Sequence, residues 1–119
     1  MGERKLNSTN MLNETRITQD CDSIYAICKI GGRWKMMILH QLKNGTLRFG
    51  ELRDAINGIT ERMLTLQLKE LEKDGLIIRT VYAQVPPKVE YNLSPIACEL
   101  LPIWLKLDEW GAKHRELMK

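Results

Sequence analysis

Residues 58–94 read GITERMLTLQLKELEKDGLIIRTVYAQVPPKVEYNLS, and this stretch decides the fold. Thr60 is a helix N-cap type, with Glu61 in the first turn, where a negative charge meets the positive end of the helix dipole. Leu64, Leu68 and Leu71 then recur at helical spacing as one apolar stripe. Lys73 falls in the last turn, and Gly75 follows as the stop. The spacing predicts a helix over about 60–74. Leu76 to Ala83 is rich in Ile, Val, Thr and Tyr, which fit a pleated strand. In the second strand Val89, Tyr91 and Leu93 alternate with Lys88, Glu90 and Asn92, giving one buried and one wet face. Pro86-Pro87 between them cannot donate ladder hydrogen bonds, so the strands must part there. A stiff hairpin over about 82–91 is expected.

Upstream, Phe49, Leu52, Arg53 and Ile56 mark a short helix, and Asn57-Gly58 is a turn signal. Helix, turn, helix, hairpin is the order of a winged helix-turn-helix, in which the second helix reads DNA. Thr46-Leu47-Arg48-Phe49 is long enough for one edge strand. Before it, Trp34, Met37, Ile38 and Leu42 give a buried stripe to a helix from Arg33 to Lys43. An earlier helix, capped by Asp22 or Ser23, runs to Ile30 and stops at Gly31-Gly32. Its Ile24, Ile27 and Cys28, with Cys21, fall on one side. Residues 1–20 lack periodicity and read as an N-terminal arm, flexible or loosely packed.

Downstream, Ser94-Pro95 is a cap followed by proline at the first helical position. Ile96, Leu100, Ile103, Leu107 and Trp110 repeat at spacings of three and four over a helix of about 95–117. Ala97, Leu101, Trp104 and Leu105 widen that stripe beyond what a small core can cover, so a second copy of the chain is expected against it. Pro102 should kink this helix. The fold class is therefore mainly α with a small β-hairpin (α+β).

The bulk properties limit the function. At 119 residues with 44% hydrophobic content, the chain is one globular domain by size. It has no apolar run of the roughly 18 residues a membrane span needs. It shows no signal-peptide core, so a cytoplasmic location is expected. Three cysteines without paired spacing do not make a disulfide framework. His40 and His114 lack neighbouring ligand types, so no metal or other cofactor is expected. No phosphate loop or nucleophile elbow is present, and no enzyme is implied.

The net charge of +3 is modest. Its whole excess lies in 31–44, as Arg33, Lys35 and Lys43 with no acid, whereas 45–93 holds seven bases and seven acids. DNA attraction by the reading head must therefore come from charges sorted by face. Opposite the leucines of 60–74 lie Arg62, Leu66, Lys69 and Lys73, with Thr65 flanking. Arg62 can pair with guanine, Leu66 can pack on a thymine methyl, and Thr65 can meet a methyl or a phosphate. Thr60, beside them, completes the candidate set on this helix. Lys69 suits a phosphate, as do Arg48 and Lys88 at the strands, and Arg33 and Lys35 at a helix N-terminus. Taken singly, each of these charges is an ordinary solvated side chain. Their grouping around a helix-turn-helix and wing favours double-stranded DNA. Cys21, at a helix start, is a candidate reactive thiol. Its neighbours Asp20 and Asp22 oppose ionisation.

These residues together resemble the HxlR-type branch of the MarR-like winged helix-turn-helix regulators. The resemblance rests on Cys21, on Ile30-Gly31-Gly32-Arg33-Trp34 and on Arg48-Phe49-Gly50-Glu51-Leu52. It continues through Ile59-Thr60, Met63-Leu64-Thr65, Leu68 to Leu71, Asp74-Gly75-Leu76-Ile77, Arg79 and Tyr82. Val85-Pro86-Pro87, Val89-Glu90-Tyr91 and Trp110-Gly111 complete it, over about residues 21–111. The resemblance implies a homodimer built from terminal helices that regulates transcription at a pseudo-palindromic operator. It also implies an oxidant or electrophile sensor at Cys21, the position several such regulators use. The chain departs from the pattern with Cys21-Asp22 in place of Cys-Pro, and with Leu66 where a polar residue is usual. Two other readings stand beside it: a protein-binding winged helix, favoured by Leu66, and a regulator switched by a non-covalent small-molecule effector.

Overall fold

The computed structural model describes residues 21–119; the expected N-terminal arm lies outside the described residues. The elements run α1 (Asp22–Ile30), α2 (Arg33–Leu42), β1 (Leu47–Arg48), α3 (Phe49–Ala55), α4 (Glu61–Lys73), β2 (Ile77–Tyr82), β3 (Lys88–Leu93), α5 (Pro95–Cys98) and α6 (Leu101–Leu117). This is the mainly α, winged helix-turn-helix architecture expected, with β1 added to the hairpin as a third strand.

The core is built where the periodicity places it. Ile38, Leu42, Leu52, Ile56, Leu64 and Leu71 are fully buried, so α2, α3 and α4 meet through their apolar stripes. Each such side chain removed from water contributes about 1.5–3 kcal/mol. Thr60 Oγ1 accepts the Met63 N–H at 3.0 Å and caps α4 as its sequence predicts. At the other end, the Leu76 N–H reaches the Leu71 carbonyl and the Gly75 N–H reaches the Glu72 carbonyl. That closure puts Gly75 at φ 74°, a conformation that costs glycine little, and it packs Leu76 back on Leu71.

The sheet is antiparallel in the order β1-β3-β2. Leu47 pairs with Tyr91, and Tyr91 with Arg79; Arg48 pairs with Glu90, and Glu90 with Thr80. Directly paired residues share a sheet face. Ile77, Arg79, Val81, Val89, Tyr91, Leu93 and Leu47 therefore lie on the side that meets the core, and Arg48, Lys88, Glu90, Thr80 and Tyr82 on the other. Pairing ends at Tyr82 and Lys88, ahead of Pro86-Pro87 in the chain-reversing loop, where the strands were expected to part.

Two expectations change. The single helix over 95–117 is two helices. Pro102 has no N–H for the Cys98 carbonyl, so the chain tightens through Glu99–Ile96 and Leu100–Ala97 bonds and restarts at Trp104–Leu100. Ser94 caps α5 and donates its hydroxyl to the Gly75 carbonyl at 2.6 Å, fastening α5 to the end of α4. The apolar side of α1 faces outward. Within that helix Ile30 is buried, while Ile24, Tyr25 and Ile27 are exposed. Cys21, not Asp22 or Ser23, occupies its N-cap.

Candidate nucleic-acid interface

The reading head is neutral in sequence, but its charges are sorted in space. Three ion pairs anchor α4 to the protein, and each uses an acid of the α4 segment. Arg53 Nη1 of α3 meets Glu61 Oε1 at 2.6 Å. Lys35 Nζ of α2 meets Glu70 Oε2 at 3.1 Å. Lys29 Nζ of α1 meets Asp74 Oδ1 at 3.7 Å. Hydrogen bonds to Glu61 and then to Asp54 hold the Arg53 guanidinium above its usual pKa. Pairs this close to the surface are screened by solvent and add little to stability. Their electrostatic effect is larger than their energy. They hold the acids against inward cations and leave Arg62, Lys69 and Lys73 without an ion-pair partner among the described residues.

Arg62, Thr65, Leu66 and Lys69 are all exposed on α4, as the helical geometry predicts, while Leu64, Leu68 and Leu71 are buried behind them. Thr60, exposed beside them, accepts the cap hydrogen bond with one hydroxyl lone pair. The remaining candidates are placed differently from one another. Lys35 is engaged by Glu70, its side chain 17% exposed, so it braces the reading helix rather than standing clear of the surface. Arg33 lies over the Trp34 ring at 4.5 Å. Lys88 is held 3.3 Å from Glu90 and 4.8 Å from the Tyr82 ring centre. Arg48 lies on that same sheet face opposite Glu90, and its backbone N–H is taken by the Glu51 carboxylate at 2.8 Å. Hydrogen bonding from the Tyr82 hydroxyl, then from Lys88, holds the Glu90 carboxyl below its usual range, and Glu90 in turn pushes the Tyr82 phenol up.

The candidate interface residues Ile96, Ile103, Leu107 and Trp110 are exposed, and no α6 residue is fully buried, though Leu101 and Trp104 pack partly on the core. Leu100 instead packs partly on the core and lines a groove of about 590 Å³ with Tyr25, Ile30, Leu76, Ile96 and Ile103. The outward side of α1 borders the same groove, which the periodicity of α1 alone did not reveal. Trp110 stacks on His114 at 5.1 Å. Among the described residues no cluster of three His, Cys, Asp or Glu could hold a metal, and no helix is long and apolar enough to cross a membrane.

A sequence model of the HxlR-like helix-turn-helix family matches residues 29–119, which includes the reading helix, the wing and α6. The chain belongs to the HxlR-like helix-turn-helix family. Family members similar to it include the HTH-type transcriptional regulator YybR of Bacillus subtilis (strain 168), 45% identical over 85% of this chain and 81% of the relative. The redox regulator HypR in its reduced form superposes with a TM-score of 0.78 at 45% identity, over 82% of this chain and 97% of that one. The reduced form of the regulator YodB from B. subtilis gives 0.70 at 33% identity, over 76% and 90%. The chain is thus a transcriptional regulator of the helix-turn-helix type, and its relatives belong to a non-enzymatic class.

Proposed function

We propose that two copies of this chain bind a pseudo-palindromic operator and regulate transcription from it. The observation that carries this reading is the sorting of charge on α4. Its Arg62, Thr65, Leu66 and Lys69 project outward with their cations unpaired, while Glu61, Glu70 and Asp74 are turned back onto Arg53, Lys35 and Lys29. The exposed apolar surface of α1, Ile96 and α6 supports pairing of two copies, which would hold two reading heads at half-sites about one helical turn apart. Fluorescence anisotropy with the DNA flanking the gene, over a salt series, tests it. Binding should weaken linearly in log–log form as salt rises. Arg62→Ala should cost about 1–3 kcal/mol and relax preference at one base position. No specific binding by folded protein at moderate salt overturns the reading. A hydrophobic partner protein docking on Leu66 would instead tolerate such salt.

Cys21 supports a thiol switch. It caps α1, whose outward Ile24, Tyr25 and Ile27 belong to the proposed pairing surface, so modification there would act on the contact between copies. HypR is described as a redox regulator and YodB has also been solved after diamide treatment. Diamide should change operator affinity, and Cys21→Ser should abolish the change; a mutant that still responds removes Cys21 from the mechanism. An effector bound without covalent chemistry in the Tyr25–Ile103 groove would act on both proteins alike.

A further inference from the structure

We infer that the cleft between α4 and β2 is a seat for a DNA backbone phosphate, with Arg79 as its principal cation. This rests on the DNA-binding reading above and names a residue outside the expected contact set. Register puts Arg79 opposite Tyr91, on the sheet face that packs against the core. β2 is an edge strand, so Arg79 emerges beside α4 rather than beneath it. There it shares a cleft of about 410 Å³ with Thr65, Lys69 and Glu72, floored by Leu68 and Tyr91. Among the described residues neither Arg79 nor Lys69 has a carboxylate within ion-pair reach or an aromatic ring to stack on. Two cations thus face one cleft without an ion-pair partner, against the single Glu72 carboxylate, which leaves a net positive site beside a hydroxyl that can donate a hydrogen bond. That chemistry fits an anion with several acceptor oxygens.

Position distinguishes phosphate from base. At 100° per residue, Arg62 and Leu66 form the crest of α4 opposite its leucines, while Thr65 and Glu72 lie on the flank toward the sheet, with Lys69 between flank and crest. A helix that puts its crest into the major groove meets the groove wall with its flank, and the wall is sugar-phosphate backbone. Glu72 lies on the C-terminal side of Lys69, which restricts the seat to the Thr65–Lys69 end. The other strand cations are in a different position: Lys88 of the wing and Arg48 of β1 lie on the opposite sheet face around Glu90. The proposed seat therefore lies at the root of the wing, on the face that Arg79 shares with Tyr91.

The test is the salt dependence of operator binding by full-length wild type, Arg79→Ala and Arg79→Lys. One phosphate contact per copy contributes about 0.9 to the log–log slope, so Arg79→Ala in a dimer should lower it by about 1.8. The advantage of wild type over the variant should then shrink roughly tenfold between 50 and 200 mM salt, about equally for operator and unrelated DNA. Arg79→Lys should keep most of the slope. Thermal melting of each variant separates loss of contact from loss of fold, and Lys69→Ala gives a second reading of the same cleft from a helix surface position. An unchanged slope in both alanine variants, with wild type binding normally, overturns the phosphate seat. Failure of the wild type to bind DNA overturns the reading beneath it.

Discussion

At Gly31 one missing methyl group sets how α1 passes into α2. A Cβ at this position would lie 2.3 Å from the Ile27 carbonyl oxygen, which is backbone and cannot rotate away. The Gly31 N–H bonds that same oxygen at 2.6 Å, so the close approach closes α1. The neighbouring Gly32 holds φ 99°, which side chains disfavour, and starts α2 in a new direction. Gly31→Ala should therefore force α1 off the body, at a cost of about 1–3 kcal/mol for the backbone shift. Since α1 carries Cys21 and Lys29, the Lys29–Asp74 pair would open as well. Urea unfolding of the variant measures the loss; a midpoint equal to wild type would show that α1 is not held by this contact.

At the scale of elements, the wing is held on its core side by Val89, Tyr91 and Leu93 and on its other side by a polar network. The Tyr82 hydroxyl and Lys88 both bind the Glu90 carboxylate, with Arg48 adding attraction across the strand pair. The folded pKa of Glu90 lies below the usual 4.5, chiefly through Tyr82. A lowered carboxyl pKa contributes stability that is present above the unfolded value and lost as pH falls through the folded one. The wing should thus loosen on acidification below about pH 4.5, seen as lost amide protection at Val89 and Tyr91. Tyr82 shifts upward, so its share is present below the usual phenol range and lost as pH rises through the raised value. Tyr82→Phe should return the Glu90 titration toward 4.5 in a carboxyl carbon NMR experiment; an unmoved titration would assign the shift elsewhere.

Helix-forming patterns and caps transfer directly from sequence. Thr60, the leucines of α4, Gly75 and Ser94-Pro95 each act through neighbours within a few positions, so the elements and the outward face of α4 were legible. What was not legible depends on partners distant in sequence. Lys35 looks like a free cation until α2 lies against Glu70, and Lys88 until the hairpin brings Tyr82 and Glu90 beside it. Arg79 looks like one more strand residue until register sets it beside Lys69. Alternation in the hairpin suggested a wet face for Lys88 and Glu90, but both are half-buried because β3 is the central strand, between β1 and β2. The outward turn of α1, which sets Tyr25 at a groove with Ile96, Leu100 and Ile103, is not encoded in local spacing.

For the whole molecule, the decisive quantity is apolar surface left in water. Ile96, Ile103, Leu107 and Trp110 are 43–64% exposed, and Ile24, Tyr25 and Ile27 on α1 are 38–58% exposed. A contiguous apolar face on a monomer marks an interaction surface, and a two-fold dimer covers it on both copies with one contact. The groove beside Leu100 gives that contact relief into which a partner's side chains can pack. In the proposed dimer the second head would bind as an intramolecular event, so pairing would set DNA affinity. Ile103→Glu combined with Leu107→Glu places four buried charges in such a two-fold contact, which desolvation opposes. Sedimentation should then give a mass near 13.8 kDa in place of about twice that, without loss of helical signal. Operator affinity should fall by about 10²-fold or more, whereas affinity for a single half-site should stay unchanged. A double variant that remains dimeric, or that keeps full operator affinity as a monomer, would mean that the two heads are coupled through some other surface.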